Sequence, residues 1–270
     1  MKNILQNNTM QEVIRTISNM YRLGWDERNG GNISIILDEK EMSEYIDIED
    51  KSRIIDVYFD ASPLIGKLFL VTGTGKYFKN VEYAPDVNLG IIRILPSGKT
   101  ASIVWGFSDG GRPTSELPAH LMSHIERLKI DPNHRVIMHT HPTSTLAMTL
   151  VHSLDERAFT RTIWKVMTEC IVVFPEGIGV LPWMVCGNEE IGRATAEKLK
   201  EYRLCIWATH GIFGCGKDLD ETFGLIETVE KGAIVYMQTI GTKIINTITD
   251  DELKAVAKRF NLTPKAEFLD

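Results

Sequence analysis

Residues 135–142, Arg135-Val-Ile-Met-His-Thr-His-Pro, carry two histidines one residue apart at the end of an apolar run. A short apolar run bounded by turn residues reads as a strand. Side chains alternate faces along a strand, so His139 and His141 point to the same side, where two imidazoles can grip one ion. A second run, residues 203–209, delivers His210 into a glycine-containing turn. Three histidine nitrogens leave a fourth tetrahedral position for substrate or water, which is the arrangement of a catalytic site rather than a closed structural one. His-x-His alone is a modest signal, and the strand-end setting of His210 is what strengthens it.

Working outward, further strand-length apolar runs occur at residues 33–37, 68–72, 102–105, 171–174 and 205–207. Helical patterns interleave with them. An amphipathic helix is expected over 9–23, where Val13, Ile14, Ile17, Met20 and Tyr21 share a side. Another starts at Thr114-Ser-Glu-Leu, with a hydroxyl cap and Pro118 in the first turn, and runs to about Lys129. Others are expected over 156–168, 188–202, 219–240 and 250–260. Strands and helices mixed on this scale predict an α/β layered domain with a central sheet covered by helices. Residues 38–66 are polar and irregular and read as an insertion.

The chain has 270 residues, 43% hydrophobic and 24% charged, enough to bury a full core, and no low-complexity linker divides it. We therefore expect one domain. Its formal charge of −6, with no basic stripe, argues against nucleic acid as a partner. No run of eighteen apolar residues and no signal-type apolar segment occurs, so a cytosolic protein without a membrane partner is expected. Cys170, Cys186, Cys205 and Cys215 form no C-x-x-C pair and read as reduced core or loop thiols.

Several blocks besides the histidines look chemical. Trp25-Asp-Glu-Arg-Asn-Gly-Gly-Asn places two glycines between Asn29 and Asn32, a turn able to expose backbone amides to an oxyanion. Val71-Thr-Gly-Thr-Gly-Lys is a glycine-rich turn leaving a strand, without the glycine spacing of a Walker A loop. Tight turns need glycine anyway, so each is by itself more often structural. In Pro113-Thr-Ser-Glu-Leu-Pro-Ala-His, Thr114 and Ser115 offer hydroxyls and free amides at a helix start, where the dipole favours an anion. Glu116 alone reads as a capping or dipole partner. His120 and His124 are four apart, but Leu121 stands where a zincin glutamate would be, so they read as packing or surface histidines, as do His134 and His152. Glu169 precedes an apolar run, where a charge can simply face solvent.

Taken together these blocks, with Leu181-Pro-Trp-Met and Leu219-Asp-Glu-Thr-Phe-Gly-Leu-Ile, resemble the class II aldolases, zinc sugar-phosphate aldolases that share a fold with the adducin head domain. The resemblance spans nearly the whole chain. It implies a three-layer α/β/α sandwich with a central, mainly antiparallel sheet, and a homotetramer with sites where subunits meet. It implies that His139, His141 and His210 bind Zn, that Glu116 is the acid/base, and that Glu169 is a second catalytic carboxylate reaching a neighbouring site. Asn29, Gly31, Asn32, Thr74, Gly75, Thr114 and Ser115 would then hold the phosphate of a sugar-phosphate substrate. Thr74 stands where the family has serine, which keeps the hydroxyl, and Cys186 where it has proline. Such a cation would act as a Lewis acid on the enediolate charge left by cleavage. A non-catalytic adducin-type module would lack the histidines and Glu116, all of which are present here.

Overall fold

The computed structural model describes residues 1–269. In chain order it contains α1 (Asn8–Arg22), β1 (Asn32–Leu37), α2 (Glu39–Met42), β2 (Ile54–Asp56), β3 (Leu68–Thr72), α3 (Pro85–Asn88), β4 (Leu89–Ile94), β5 (Thr100–Gly106), α4 (Leu117–Ile130) and β6 (Val136–Thr140). There follow α5 (Thr143–Val151), α6 (Glu156–Val166), α7 (Thr168–Val173), β7 (Gly179–Leu181), α8 (Glu189–Lys198), β8 (Leu204–Trp207), β9 (Gly211–Gly216), α9 (Leu219–Thr239) and α10 (Asp250–Phe260).

The strands form one nine-stranded sheet in the order β2-β5-β4-β3-β1-β6-β9-β8-β7. Every pairing is antiparallel except β7 with β8. Both faces of the sheet are covered, which is why the central strands read as continuous apolar runs rather than as an alternation. Ile33, Ile35, Leu68, Leu70, Val136 and Met138 face the layer of α1 and α9. The alternate residues Phe69, Val71 and Ile137 face α4 and α8. The expected three layers and mainly antiparallel sheet are therefore found.

Helix ends follow local chemistry. The Asn7 side chain accepts from the Met10 amide to start α1, and Asn188 accepts from Ile191 to start α8. Thr249 and Glu252 form a reciprocal capping box on α10. Where a helix was expected from 114, regular structure begins only at Leu117, because Thr114 Oγ1 takes the Glu116 amide in a tight lead-in turn at 3.2 Å.

The strand expected at 171–174 is a helix, α7. Cys170, Ile171 and Phe174 are buried while Thr168 and Glu169 are exposed, a spacing of three to four rather than two. A run of four apolar residues is too short to display its period by itself. Strands β2, β4, β7 and β9 and helix α5 have no counterpart in the sequence reading. β9 is Gly211-Ile-Phe-Gly-Cys-Gly, and three glycines in six residues hide its strand character. The 38–66 segment holds α2, the edge strand β2 and a 3₁₀ turn at Ser62–Leu64. Among the described residues no helix is long and apolar enough to cross a membrane.

Candidate active site

β6 lies next to the central strand β1, between it and β9, and His139 is paired with Asn32 on one side and Phe213 on the other. His141 follows one residue past the strand end, where its amide donates to the Trp25 carbonyl at 2.8 Å. His210 sits in the three-residue turn joining β8 to β9, beside Thr209, whose φ of 59° is unusual for a β-branched residue. The Thr149 hydroxyl accepts from the Thr209 amide at 3.0 Å and helps hold that turn. Gly211 must be glycine, since a Cβ there would meet the Thr140 carbonyl at 2.5 Å and both histidine rings at 2.8 Å.

The three imidazoles form a nearly equilateral group with centroids 5.0, 5.0 and 5.1 Å apart. His139 Nδ1–H donates to the Ile212 carbonyl at 3.2 Å, and His141 Nδ1–H donates to the Glu27 carboxylate at 3.0 and 3.1 Å. Each ring is thereby turned to present Nε2, and the two Nε2 atoms approach to 3.3 Å. Two nitrogens bound to one tetrahedral ion at about 2.0–2.1 Å would lie about 3.3 Å apart. The geometry therefore fits a divalent ion, with all three histidines able to contribute a ligand atom. Burial and the neighbouring imidazoles hold His139 well below its ordinary pKa, and burial with His141 holds His210 down to about 4. Both are neutral and ligand-ready at neutral pH.

Glu116, in the lead-in turn of α4, points at this group. Its Oε2 is 3.5 Å from His139 Nε2 and its Oε1 3.8 Å from His210 Nε2. Asn32 Nδ2 donates to Oε2 at 2.8 Å. Burial raises the Glu116 pKa above the ordinary carboxylate range, opposed by the Asn32 hydrogen bond and the His141 imidazole. A carboxyl poised in this way suits proton transfer.

These groups open on a cleft of about 270 Å³. Its walls contain every residue of the expected anion site: Asn29, Gly31, Asn32, Thr74, Gly75, Thr114 and Ser115. Three turns far apart in sequence thus converge beside Glu116, His141 and His210. Gly31, at φ 75°, lies so close to Asp26 that a Cβ would fall 1.8 Å from its Oδ1. Three larger cavities among the described residues, one beside β2, one between α6, α9 and α10 and one between α4 and α8, have no histidine in their walls.

Glu169 is not with them. It is exposed on α7 and absent from the cleft walls. The structure also brings in residues to which the sequence reading assigned no role in the site. Glu27 orients His141, Arg28 lines the cleft as a cation, and Cys186 Sγ lies within 4.8 Å of ligand atoms of Glu116 and His210. Asp26 is buried and accepts from Thr140 Oγ1 at 2.9 Å, tying the 25–32 turn to β6. All of Trp25 to Asn32 was legible as a turn, but partners more than a hundred residues away are not visible in sequence. His120 and His124 are fully buried, so of the packing and surface readings only the first holds.

Fold and site together define an enzyme-like cleft on a layered α/β scaffold, and residues 11–237 match the family described as Class II Aldolase and Adducin N-terminal domain: the chain belongs to it. Within that family it is similar over its full length to proteins named rhamnulose-1-phosphate aldolase. The relative from Listeria innocua is 57% identical, covering 100% of this chain and 99% of that protein. The one from Klebsiella pneumoniae is 46% identical over 97% of this chain and 96% of its own length. Among solved structures, a sugar-phosphate aldolase from Thermotoga maritima superposes with a TM-score of 0.75 at 30% identity, covering 87% of this chain and 97% of that one. An L-fuculose 1-phosphate aldolase shares the fold, with a TM-score of 0.60 at 19% identity over 95% and 98% of the two chains.

Proposed function

We propose that this chain is a zinc-dependent aldolase that reversibly cleaves L-rhamnulose 1-phosphate to dihydroxyacetone phosphate and L-lactaldehyde, in rhamnose breakdown in the cytoplasm. The observation that carries the chemistry is the set of three imidazoles facing Glu116 across one cleft. The substrate rests on full-length identities of 46–57% to proteins of that name.

His139, His141 and His210 would hold one Zn²⁺, a borderline-soft ion suited to neutral imidazole. Bound there with a position open, it supplies Lewis-acid stabilisation of the charge that develops on the substrate's oxygens. The chain's own residues do the rest. The Asn29–Asn32 turn, Thr74-Gly75 and Thr114-Ser115 bind the phosphate through amides and hydroxyls, which the negative net charge makes necessary. Phosphate binding orients the reacting carbon, so an unphosphorylated ketose should lose in kcat as well as in KM. Glu116 returns a proton to the carbon left by cleavage, and removes it in condensation, a role worth roughly 10²–10⁴ in rate.

Glu169 is exposed on α7 and does not line its own subunit's cleft, so as a catalytic carboxylate it would act in the site of a neighbouring copy. That arrangement calls for an oligomer, and we propose a homotetramer with sites at subunit boundaries. A fully active monomer in light scattering would reject it. The reaction is tested by a retro-aldol assay on rhamnulose 1-phosphate, fuculose 1-phosphate and ribulose 5-phosphate, with and without chelator. Cleavage of the first with the highest kcat/KM, abolished by chelation and restored by zinc, is expected. A higher kcat/KM on fuculose 1-phosphate would leave the aldolase reading and remove the substrate.

A further inference from the structure

Behind Glu116 a hydrogen-bonded chain runs from the cleft into the interior. Asn32 donates through Nδ2 to Glu116 Oε2 at 2.8 Å, and its Oδ1 makes a short hydrogen bond with His120 Nε2. His120 Nδ1 lies 2.7 Å from Ser34 Oγ, and the same Oγ lies 2.8 Å from His124 Nε2. Asn32 and Ser34 are two apart on β1 and so share a face, while His120 and His124 are one turn apart on α4. All four side chains are buried. The chain ends at His124 Nδ1, which has no hydrogen-bond partner among the described residues.

The proton count gives this chain a sense. Asn32 turns its NH₂ to Glu116 Oε2, which leaves Oδ1 as an acceptor. His120 then carries its proton on Nε2. Burial holds His120 down to about 3 and His124 well below its ordinary value, so each ring has one proton. His120 Nδ1 therefore accepts the single Ser34 proton, and Ser34 Oγ accepts from His124 Nε2–H. The bare atom at the end is a nitrogen acceptor. The opposite sense would bury an unpaired N–H there, the rarer orphan in folded proteins.

We propose that His124, Ser34 and His120 act through Asn32 as a one-way positioning chain that holds the Glu116 carboxylate against the histidine cluster, with both imidazoles in the Nε2–H tautomer. The catalytic consequence rests on the reading of Glu116 as acid/base, whereas the tautomers do not. Without the chain, Asn32 could turn its amide and Glu116 could leave the line of the reacting carbon. None of the three outer residues touches the cleft, so their effect falls on kcat rather than on substrate binding.

The test has two arms on the zinc-loaded protein. In the first, ¹⁵N spectra of histidine-labelled protein are expected to show protonated Nε2 and unprotonated Nδ1 for His120 and His124, assigned with His120→Asn and His124→Phe. Protonated Nδ1 on either ring would overturn the chain whatever the activity. In the second, Ser34→Ala is expected to lower kcat roughly tenfold or more with KM within about twofold and zinc content unchanged, while Ser34→Thr, which keeps the hydroxyl, stays within about threefold of wild type. Wild-type kcat in Ser34→Ala, or equal loss in both variants, would overturn the positioning role. Wild-type turnover in Glu116→Gln would instead remove the acid/base reading and leave the tautomer result standing.

Discussion

The Glu27 carboxylate lies 3.0 Å from His141 Nδ1, on the side of the ring opposite the Nε2 that faces His139. A carboxylate in this position fixes both the tautomer and the orientation of a metal-binding histidine. Partial burial pushes the Glu27 pKa up, but the hydrogen bond from His141 and its own backbone amide outweigh this and leave it below the ordinary value. Because Glu27 is largely exposed, its removal should act at the lower end of the usual effect. We expect Glu27→Ala to weaken zinc binding about tenfold in competition with a chromophoric chelator. Glu27→Gln, whose amide oxygen still accepts from Nδ1, should lose less. An unchanged dissociation constant in Glu27→Ala would show that His141 is held by its backbone alone.

Glu116→Gln keeps the shape and the Asn32 contact but cannot carry a proton. Its kcat should fall by about 10²-fold or more while fold and zinc content are retained. The loss should exceed that of Glu169→Gln measured in the same assay. The reverse order of the two variants would move the acid/base role to α7.

Cys186 is the exposed member of four free cysteines, and Cys170, Cys205 and Cys215 are buried. Burial pushes the Cys170 and Cys215 thiols up to about 12 and that of Cys205 higher still. Iodoacetamide should therefore add one group per chain, at Cys186, and this adduct within a cleft of about 270 Å³ should stop cleavage. Saturating substrate should slow the labelling. Cleavage that survives full labelling in peptide mass analysis would place the Cys186 side chain outside the path of the substrate.

Acid should destabilise the fold through its buried histidines. His120 has a folded-state pKa of about 3 against 6.5 for the free side chain, so below 6.5 the unfolded chain takes up the proton first. Its contribution is fully present above pH 6.5 and is lost as pH falls toward 3. At pH 5 the loss from His120 alone is about 2 kcal/mol. Urea unfolding of the metal-free protein at pH 7.5 and pH 5 should show that drop, and His120→Asn should reduce it. An equal drop in that variant would assign the acid sensitivity to other groups.

Much of this architecture was legible in the sequence because its signals are local. The apolar runs at β1, β3, β6 and β8, the helices α1, α6, α9 and α10, and the glycine turns at 30–31 and 73–75 each depend on a few adjacent residues. Legibility stopped where local patterns are short or weak: α7 has too few apolar residues to show its period, and glycine-rich β9 and the edge strand β2 have little strand character.

The sequence by itself brought His139 and His141 together, since a two-residue period puts both on one side of a strand whatever surrounds it. It also marked three turns able to bind an anion, through the resemblance that links them to sugar-phosphate chemistry. Only the tertiary structure decided what those groups do together. The register of β1 beside β6 sets Asn32 against His139, and α4 across that face sets His120 and His124 against Ser34 and Glu116 against the imidazoles. Hydrogen bonds between residues 84 to 114 positions apart, from Asn32 to Glu116 and from Glu27 to His141, leave no trace in spacing. Their partners are chosen by sheet order and helix packing, which the chain specifies only through the whole core.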